Sequence, residues 1–311
     1  MGDTRGIHRE YIAPHLHERE DTFADIDPRA LRDELRRIVE NPSDHGSSRT
    51  CYAHAAAVPV YMALRRIYKR DGGYPTLEGI RKALIKELPE REEGWSVLDA
   101  LSVATRLYRP LQFQELLSED AVKKAVLDGR PVLAQIRLTE DGWDAFEGHW
   151  TCSMDEHGLR HPVLTLDKMR EFNTGPVRSN GHGVVLVEVR EDSLVFLNSW
   201  GKDWGTDGTF AIENWDVLRA MDGPNRFRLR FLDVFWLEKD LRPRERRAFQ
   251  EAAGNCMQRK LEPPLSPYQR LGPLTVERRY DTPTASSIAK GTQKFLPGWK
   301  DIMHAKDATH K

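Results

Sequence analysis

Apolar residues follow two regimes along the chain. As far as residue 108 they recur at helical spacing; beyond residue 111 they fall into short runs and alternations. Leu31, Leu35 and Ile38, behind Asp27-Pro28-Arg29, predict a short amphipathic helix with proline in its first turn. Ala55, Val58, Met62 and Ile67 share one face of a central helix over 51–70 that Asp71-Gly72 stops, and Pro59 inside it predicts a kink after two turns. Leu77, Ile80 and Leu84 behind a Thr76 cap give a helix ending at Pro89, and Val97, Leu98, Leu101 and Leu107 give another over about 96–108. Ser118-Glu119-Asp120 then caps a short helix closed by Gly129, followed by a buried strand over 131–138. Strands at 183–189, 193–199, 209–213 and 227–237 complete an antiparallel sheet, with a charged turn at Arg190-Glu191-Asp192. Helices first and strands afterwards make an α+β chain.

Three stretches break the pattern. Residues 1–22 are polar and aperiodic, as a loosely held arm would be. Residues 147–180 are irregular and read as an insertion ahead of the strand-rich half. Residues 242–260 read as a basic helix, after which prolines and Ser/Thr clusters predict an unpacked tail, with Phe295-Leu296-Pro297-Gly298-Trp299 as its one apolar anchor.

Composition narrows the function classes. With 31% charged and 39% hydrophobic residues and a formal net charge of −1, the 311-residue chain reads as soluble and globular, with no bias toward nucleic acid or anionic membrane. No run approaches the ~18 apolar residues of a membrane span. The N-terminus lacks a signal peptide's apolar core, and the only cysteines are Cys51, Cys152 and Cys256. A cytoplasmic setting is therefore expected.

The candidate chemistry lies in two places. Cys51 stands where Gly46-Ser47-Ser48-Arg49-Thr50 gives way to the helix former Tyr52-Ala53-His54-Ala55, so its sulfur is expected at a helix N-terminus, where free N–H groups favour thiolate. His182 follows 131 positions later in Gly181-His182-Gly183, where it reads as the end of a loop. An apolar strand leads from it to Asn198-Ser199-Trp200-Gly201-Lys202-Asp203-Trp204-Gly205-Thr206-Asp207-Gly208, too rich in glycine for helix. Two further features have open readings. His54, one turn after Cys51, is either a second base or a packed helix residue. His149, Cys152, His157 and His161 have zinc-compatible ligand types or form an exposed loop.

Together these motifs resemble the papain-like cysteine peptidases, over roughly residues 45–238 and in the family's order. Asn-Ser-Trp-Gly-x-x-x-Trp-Gly-x-x-Gly is complete from Asn198 to Gly208, and the Cys–His spacing falls within the ~130–150 positions usual for such enzymes. The resemblance implies a two-lobed α+β fold with the cleft between its lobes. Lead-in residues 1–44 would precede a catalytic domain at 45–239, its helical lobe (about 45–110) carrying the cysteine and its β lobe (about 111–239) the His/Asn pair. Residues 240–311 would form the basic helix and tail. It assigns Cys51 as nucleophile, His182 as base, Asn198 as its orienter and Trp200 as cover, with no cofactor and no metal. His45, where the family has glutamine, would share the oxyanion hole with the Cys51 N–H. Gly72 and Gly73 in Asp71-Gly72-Gly73-Tyr74-Pro75, with Gly181, would bind substrate backbone. The implied activity is hydrolysis of peptide or isopeptide bonds in a peptide or protein substrate through a thioester. Gly-Ser-Ser-Arg-Thr-Cys is closer to the bleomycin-hydrolase branch than to the cathepsins. An alternative of another class is a weak or inactive homologue that binds peptides or proteins. His45, Tyr52 in place of tryptophan, and a lead-in too short for the family's propeptide favour it. The tail is a candidate site for a protein partner; oligomeric state is open.

Overall fold

The computed structural model describes residues 28–91, 94–152, 163–172, 180–221 and 230–259. Among the described residues four helices come first: α1 (Pro28–Glu40), α2 (Cys51–Arg65), α3 (Leu77–Glu87) and α4 (Val97–Leu107). Their starts are set locally. The Thr76 hydroxyl accepts the Gly79 N–H at 3.0 Å, and Ser96 and Asp99 form a reciprocal capping box. Alanine-rich α2 is buried on most sides, which suits its place as the central helix of this layer. It continues as one element through Pro59 and ends at Arg65, five residues earlier than expected. The N–H groups of Arg66 and Ile67 reach back to the Ala63 and Leu64 carbonyls, tightening the exit, and Ile67 stays fully buried.

A six-stranded antiparallel sheet follows in the order β1-β6-β2-β3-β4-β5. Its strands are β1 (Gln112–Glu115), β2 (Val132–Leu138), β3 (Asn180–Val189), β4 (Leu194–Leu197), β5 (Thr209–Ile212) and β6 (Arg230–Phe235). Both faces are covered, and the strand period sorts side chains between them. Leu133, Val185, Val187, Val195, Leu197, Leu232 and Val234 join the core of α1–α4. Val132, Ala134, Ile136, Val184, Leu186, Phe196 and Phe231 join a second core with α5 (Glu119–Leu127), α6 (Glu140–Cys152), α7 (Leu166–Phe172) and α8 (Trp215–Met221).

The structure corrects the sequence reading in two places. Much of the expected insertion is ordered: α6 runs to Cys152, with Trp143, Phe146 and Trp150 buried, and α7 adds Met169 and Phe172 to the same core. His182 does not end a loop. It lies inside β3, opposite Ile136 of β2, because the strand begins at Asn180. The basic helix expected over 242–260 is present, and it packs against the body. α9 (Pro243–Arg259) buries Ala248 and Phe249, the latter edge-on to Trp236 at 5.6 Å, and the Glu245 carboxylate accepts the Asp71 N–H at 2.9 Å. The arm over 1–22 and the apolar patch at 295–299 lie outside the described residues.

A buried ionic cluster ties the layers together. The Arg130 guanidinium meets Asp233 at 3.3 Å and Asp128 at 3.1 Å, and Arg66, just past α2, donates to the Gly129 carbonyl at 2.6 Å. Burial and the neighbouring Arg130 push Arg66 down to about 9. Among the described residues no helix is long and apolar enough to cross a membrane.

Candidate active site

Cys51 is the first residue of α2 and half-buried. Glycine at 183 lets β3 come against it: a Cβ there would lie 3.1 Å from Val97 Cγ1, 3.2 Å from Ala55 Cβ and 3.5 Å from the Cys51 carbonyl oxygen. The N–H groups of Gly183, Tyr52 and Cys51 favour thiolate, as expected at a helix start, but burial outweighs them and pushes the thiol up. The expected resting thiolate is therefore not what this environment supports.

His182 precedes Gly183 on β3 and is only 3% exposed. Its Nε2 lies 2.7 Å from Asn198 Oδ1, and that oxygen also accepts the Ser199 N–H at 2.9 Å. The second bond fixes which way the amide points, so Nε2 carries the proton and Nδ1 is left as the basic nitrogen. Trp200 stacks on the imidazole at 4.8 Å and 29°, and Trp143 meets it edge-on at 5.7 Å. These rings keep water from the His–Asn bond. Burial pushes His182 down to about 3 against the opposing pull of Asn198, so the resting pair is a neutral thiol and a neutral imidazole.

The segment ahead of Cys51 is clasped to the one after Asn198. Asp44 and Trp200 form an isolated β-bridge, the His45 N–H donates to the Ser199 carbonyl at 3.1 Å, and the Gly201 N–H to the Ser43 carbonyl at 3.0 Å. Gly208, at φ +82°, leaves room for Pro42, whose Cγ would be 2.4 Å from an added Cβ. The clasp holds the His45 ring 6.2 Å from that of His182 and 5.6 Å from that of His54. Neither His45 ring nitrogen makes a well-formed hydrogen bond among the described residues, although the backbone at Ser48, Gly46 and His45 lies close enough to favour protonation. Burial also pushes His45 down, so at neutral pH it offers one N–H.

No protein-family model matches the sequence, and no curated protein does. Among solved structures the chain is similar to the cysteine protease CMS1MS2 of Carica candamarcensis, at 15% identity over 63% of this chain and 92% of that one, with a TM-score of 0.38. Bromelain protease from Ananas comosus is 14% identical over 66% and 97%, with a TM-score of 0.36. Xylellain, a cysteine protease from Xylella fastidiosa, is 14% identical over 63% and 83%, with a TM-score of 0.35.

Other expected site residues lie elsewhere. Gly72 and Gly73 follow the far end of α2, which at 15 residues is about 20 Å long, and Tyr74 anchors their loop there by donating to the Ile67 carbonyl at 2.6 Å. They are not brought to Cys51. Gly94, at φ +66° in the loop that leads to Val97, comes to the segment just ahead of Cys51: its added Cβ would lie 3.9 Å from the Arg49 carbonyl oxygen. Gly181 is exposed on β3 opposite Arg137. His149 lies on α6 against Trp150 and Phe172, whereas the Cys152 side chain, His157 and His161 are outside the described residues. Among the described residues no group of His, Cys, Asp and Glu is set to hold a metal ion. The sequence reading missed the approach of Gly94 to Arg49 and the contact of Trp143 with the His182 ring. Only the aromatic spacing Trp143, Phe146, Trp150 on what proved to be α6 could have signalled the second.

The buried imidazoles make stability depend on pH. His182 and His54 are held near 3, against an ordinary value of 6.5 that the unfolded chain recovers. The unfolded chain then binds more protons between these limits, so stability is complete above pH 6.5 and falls as pH drops toward 3. Between pH 7.5 and 5.5, before carboxylates titrate, unfolding free energy from urea titration is expected to drop by about 1 kcal/mol per buried imidazole. An unchanged midpoint across that window would show that the two rings are hydrated.

Proposed function

We propose that the chain is a papain-like cysteine peptidase that hydrolyses peptide or isopeptide bonds through Cys51, His182 and Asn198. The observation that carries this reading is the direction of the imidazole: Nε2 is committed to Asn198 Oδ1 at 2.7 Å, while the next residue of β3 abuts the first turn of the cysteine helix. Since both partners are neutral at rest, the thiol proton passes to His182 Nδ1 as sulfur attacks the carbonyl carbon, and does not leave beforehand. The Cys51 N–H and a His45 N–H receive the oxyanion. Collapse breaks the C–N bond, and His182 returns its proton to the departing amine. Water, deprotonated by the same nitrogen, then opens the thioester and restores the thiol. Backbone around Gly94, rather than Gly72 and Gly73, supports the substrate beside Cys51. The five other fixed members of the Asn198–Gly208 signature, Ser199, Gly201, Trp204, Gly205 and Gly208, shape the loop that carries Trp200 and clasps residues 42–45.

The test is turnover of a fluorogenic peptide library, with a peptidyl epoxide as probe. Library members are expected to be cleaved, and the epoxide to block cleavage while adding one equivalent to Cys51. A folded protein that cleaves nothing and takes up no epoxide would favour the second reading, a peptide- or protein-binding homologue. One observation favours that reading: burial disfavours charge on both Cys51 and His182.

A further inference from the structure

Four buried nitrogens of His45, His54 and Arg81 make no well-formed hydrogen bond among the described residues: Nδ1 and Nε2 of His45, Nδ1 of His54 and Nε of Arg81. Buried donors left unpaired cost stability and call for a cause. His54 is one turn along α2 from Cys51, on the same side of the helix. Its ring meets that of His45 at 5.6 Å and 71°, an edge-on contact that fixes the tilt of the His45 ring. Arg81, on α3, stands behind His54, with Glu78 at 3.4 Å as its own ionic partner. The histidines therefore sit between a fixed cation and the place where negative charge develops during acyl transfer.

We propose that His54 is a positioning residue that acts through His45, its edge-on ring holding the His45 imidazole so that an N–H points at the oxyanion, with Arg81 as the fixed charge behind both. A donor whose resting contacts are at most weak ones to nearby backbone gains a charged acceptor when the carbonyl oxygen becomes negative, so the resting cost is recovered in the transition state. The other groups facing the pair agree. Burial disfavours protonation of both rings; Asp44 and the backbone at Ser48, Gly46 and His45 itself favour it for His45, whereas Arg81 and His45 disfavour it for His54. His182, at 6.2 Å, is neutral at rest. The array keeps two imidazoles uncharged, and hence able to donate from one nitrogen without carrying charge, in a site already short of water.

This inference rests on the hydrolase reading, and the experiment separates the two. Peptide turnover and alkylation of Cys51 by iodoacetamide are measured for the full chain and its variants. Alkylation displaces iodide directly and forms no oxyanion, so it reports the sulfur and its base alone. His45→Ala is expected to lower kcat by about 100-fold or more with little change in KM. His54→Ala is expected to lower it by roughly 10- to 100-fold, as a displacement of about 1 Å in a catalytic group does. Both should leave Cys51 alkylation at its original rate, and the double variant should be no worse than His45→Ala alone. His54→Phe, which keeps the ring, should recover most of the lost turnover and guards against a folding defect. Arg81→Gln should move the acid limb of kcat to higher pH, because removing the cation lets the imidazoles protonate sooner. A His54→Ala protein with unaltered kcat, additive losses in the double variant, or alkylation that falls in step with turnover would overturn the positioning role. A wild-type chain that cleaves no peptide would overturn the hydrolase reading, and this inference with it.

Discussion

Replacing His182 by alanine is expected to reduce peptide turnover on the order of 10⁴-fold or more, the scale of loss when the base of a coupled nucleophile–base pair is removed. The proposed mechanism gives that nitrogen two tasks. Because burial holds the Cys51 thiol protonated, attack needs a base at the moment the S–C bond forms. The departing amine then needs the same proton back. With alanine at 182, neither step has a partner, so kcat should fall while KM changes little. Iodoacetamide alkylation of Cys51 near neutral pH should slow as well, which separates this variant from those at the oxyanion site. Asn198→Ala is expected to be milder. It removes the 2.7 Å bond that fixes the imidazole but leaves the ring between Trp200 and Trp143, so a fraction of rings keeps the productive direction. A loss below 10-fold for His182→Ala would mean that another group removes the thiol proton.

The second large effect concerns the fold. Arg130→Leu is expected to destabilise the protein by about 3–5 kcal/mol, because it withdraws the guanidinium facing a fully buried Asp233 and leaves that carboxylate charged in a dry surrounding. Converting Asp233 to leucine as well should restore much of the loss, since two packed apolar groups replace two desolvated ions. Urea unfolding of the three proteins provides the comparison. If the single variant were as stable as the parent, the pair would be hydrated rather than dry. The magnitude matters because a domain's whole stability is typically only about 5–15 kcal/mol. Arg66 holds the end of α2 to the same corner, so the loss should extend to the helix that presents Cys51.

Features encoded by neighbouring residues were the most legible in the sequence. Thr76 and Ser118 cap the helices they were expected to cap, because capping needs only a side chain and the N–H three residues on. The cysteine helix and most strands follow from periodicity in the same way. α6 was hidden because Gly142, Gly148 and several acids surround its aromatic stripe, and local propensity there disfavours helix while packing of Trp143, Phe146 and Trp150 decides for it. Four-residue β1 is only half-buried and shows no alternation to read. Gly72-Gly73 and Gly94 illustrate a different limit. Both lie in turns before a helix, and which turn reaches Cys51 depends on how far α2 runs, a length that Arg66 sets by turning into a buried cluster distant in sequence. The resting charge of the Cys51–His182 pair was likewise illegible. It depends on desolvation by residues such as Trp143 and Trp200, which lie 39 positions away on one side and 18 on the other of His182 and converge only in the folded chain.

The clasp between residues 42–45 and 199–208 has a mechanical consequence. One strip of backbone carries His45 and leads into the nucleophile's helix; the strip it grips carries the amide that steers the imidazole and the indole that shelters it. A load applied to the chain ahead of Pro42 is thus transmitted to both sides of the reaction centre at once, and α1, packed just before it through Leu31, Leu35 and Ile38, is the handle through which such a load would arrive.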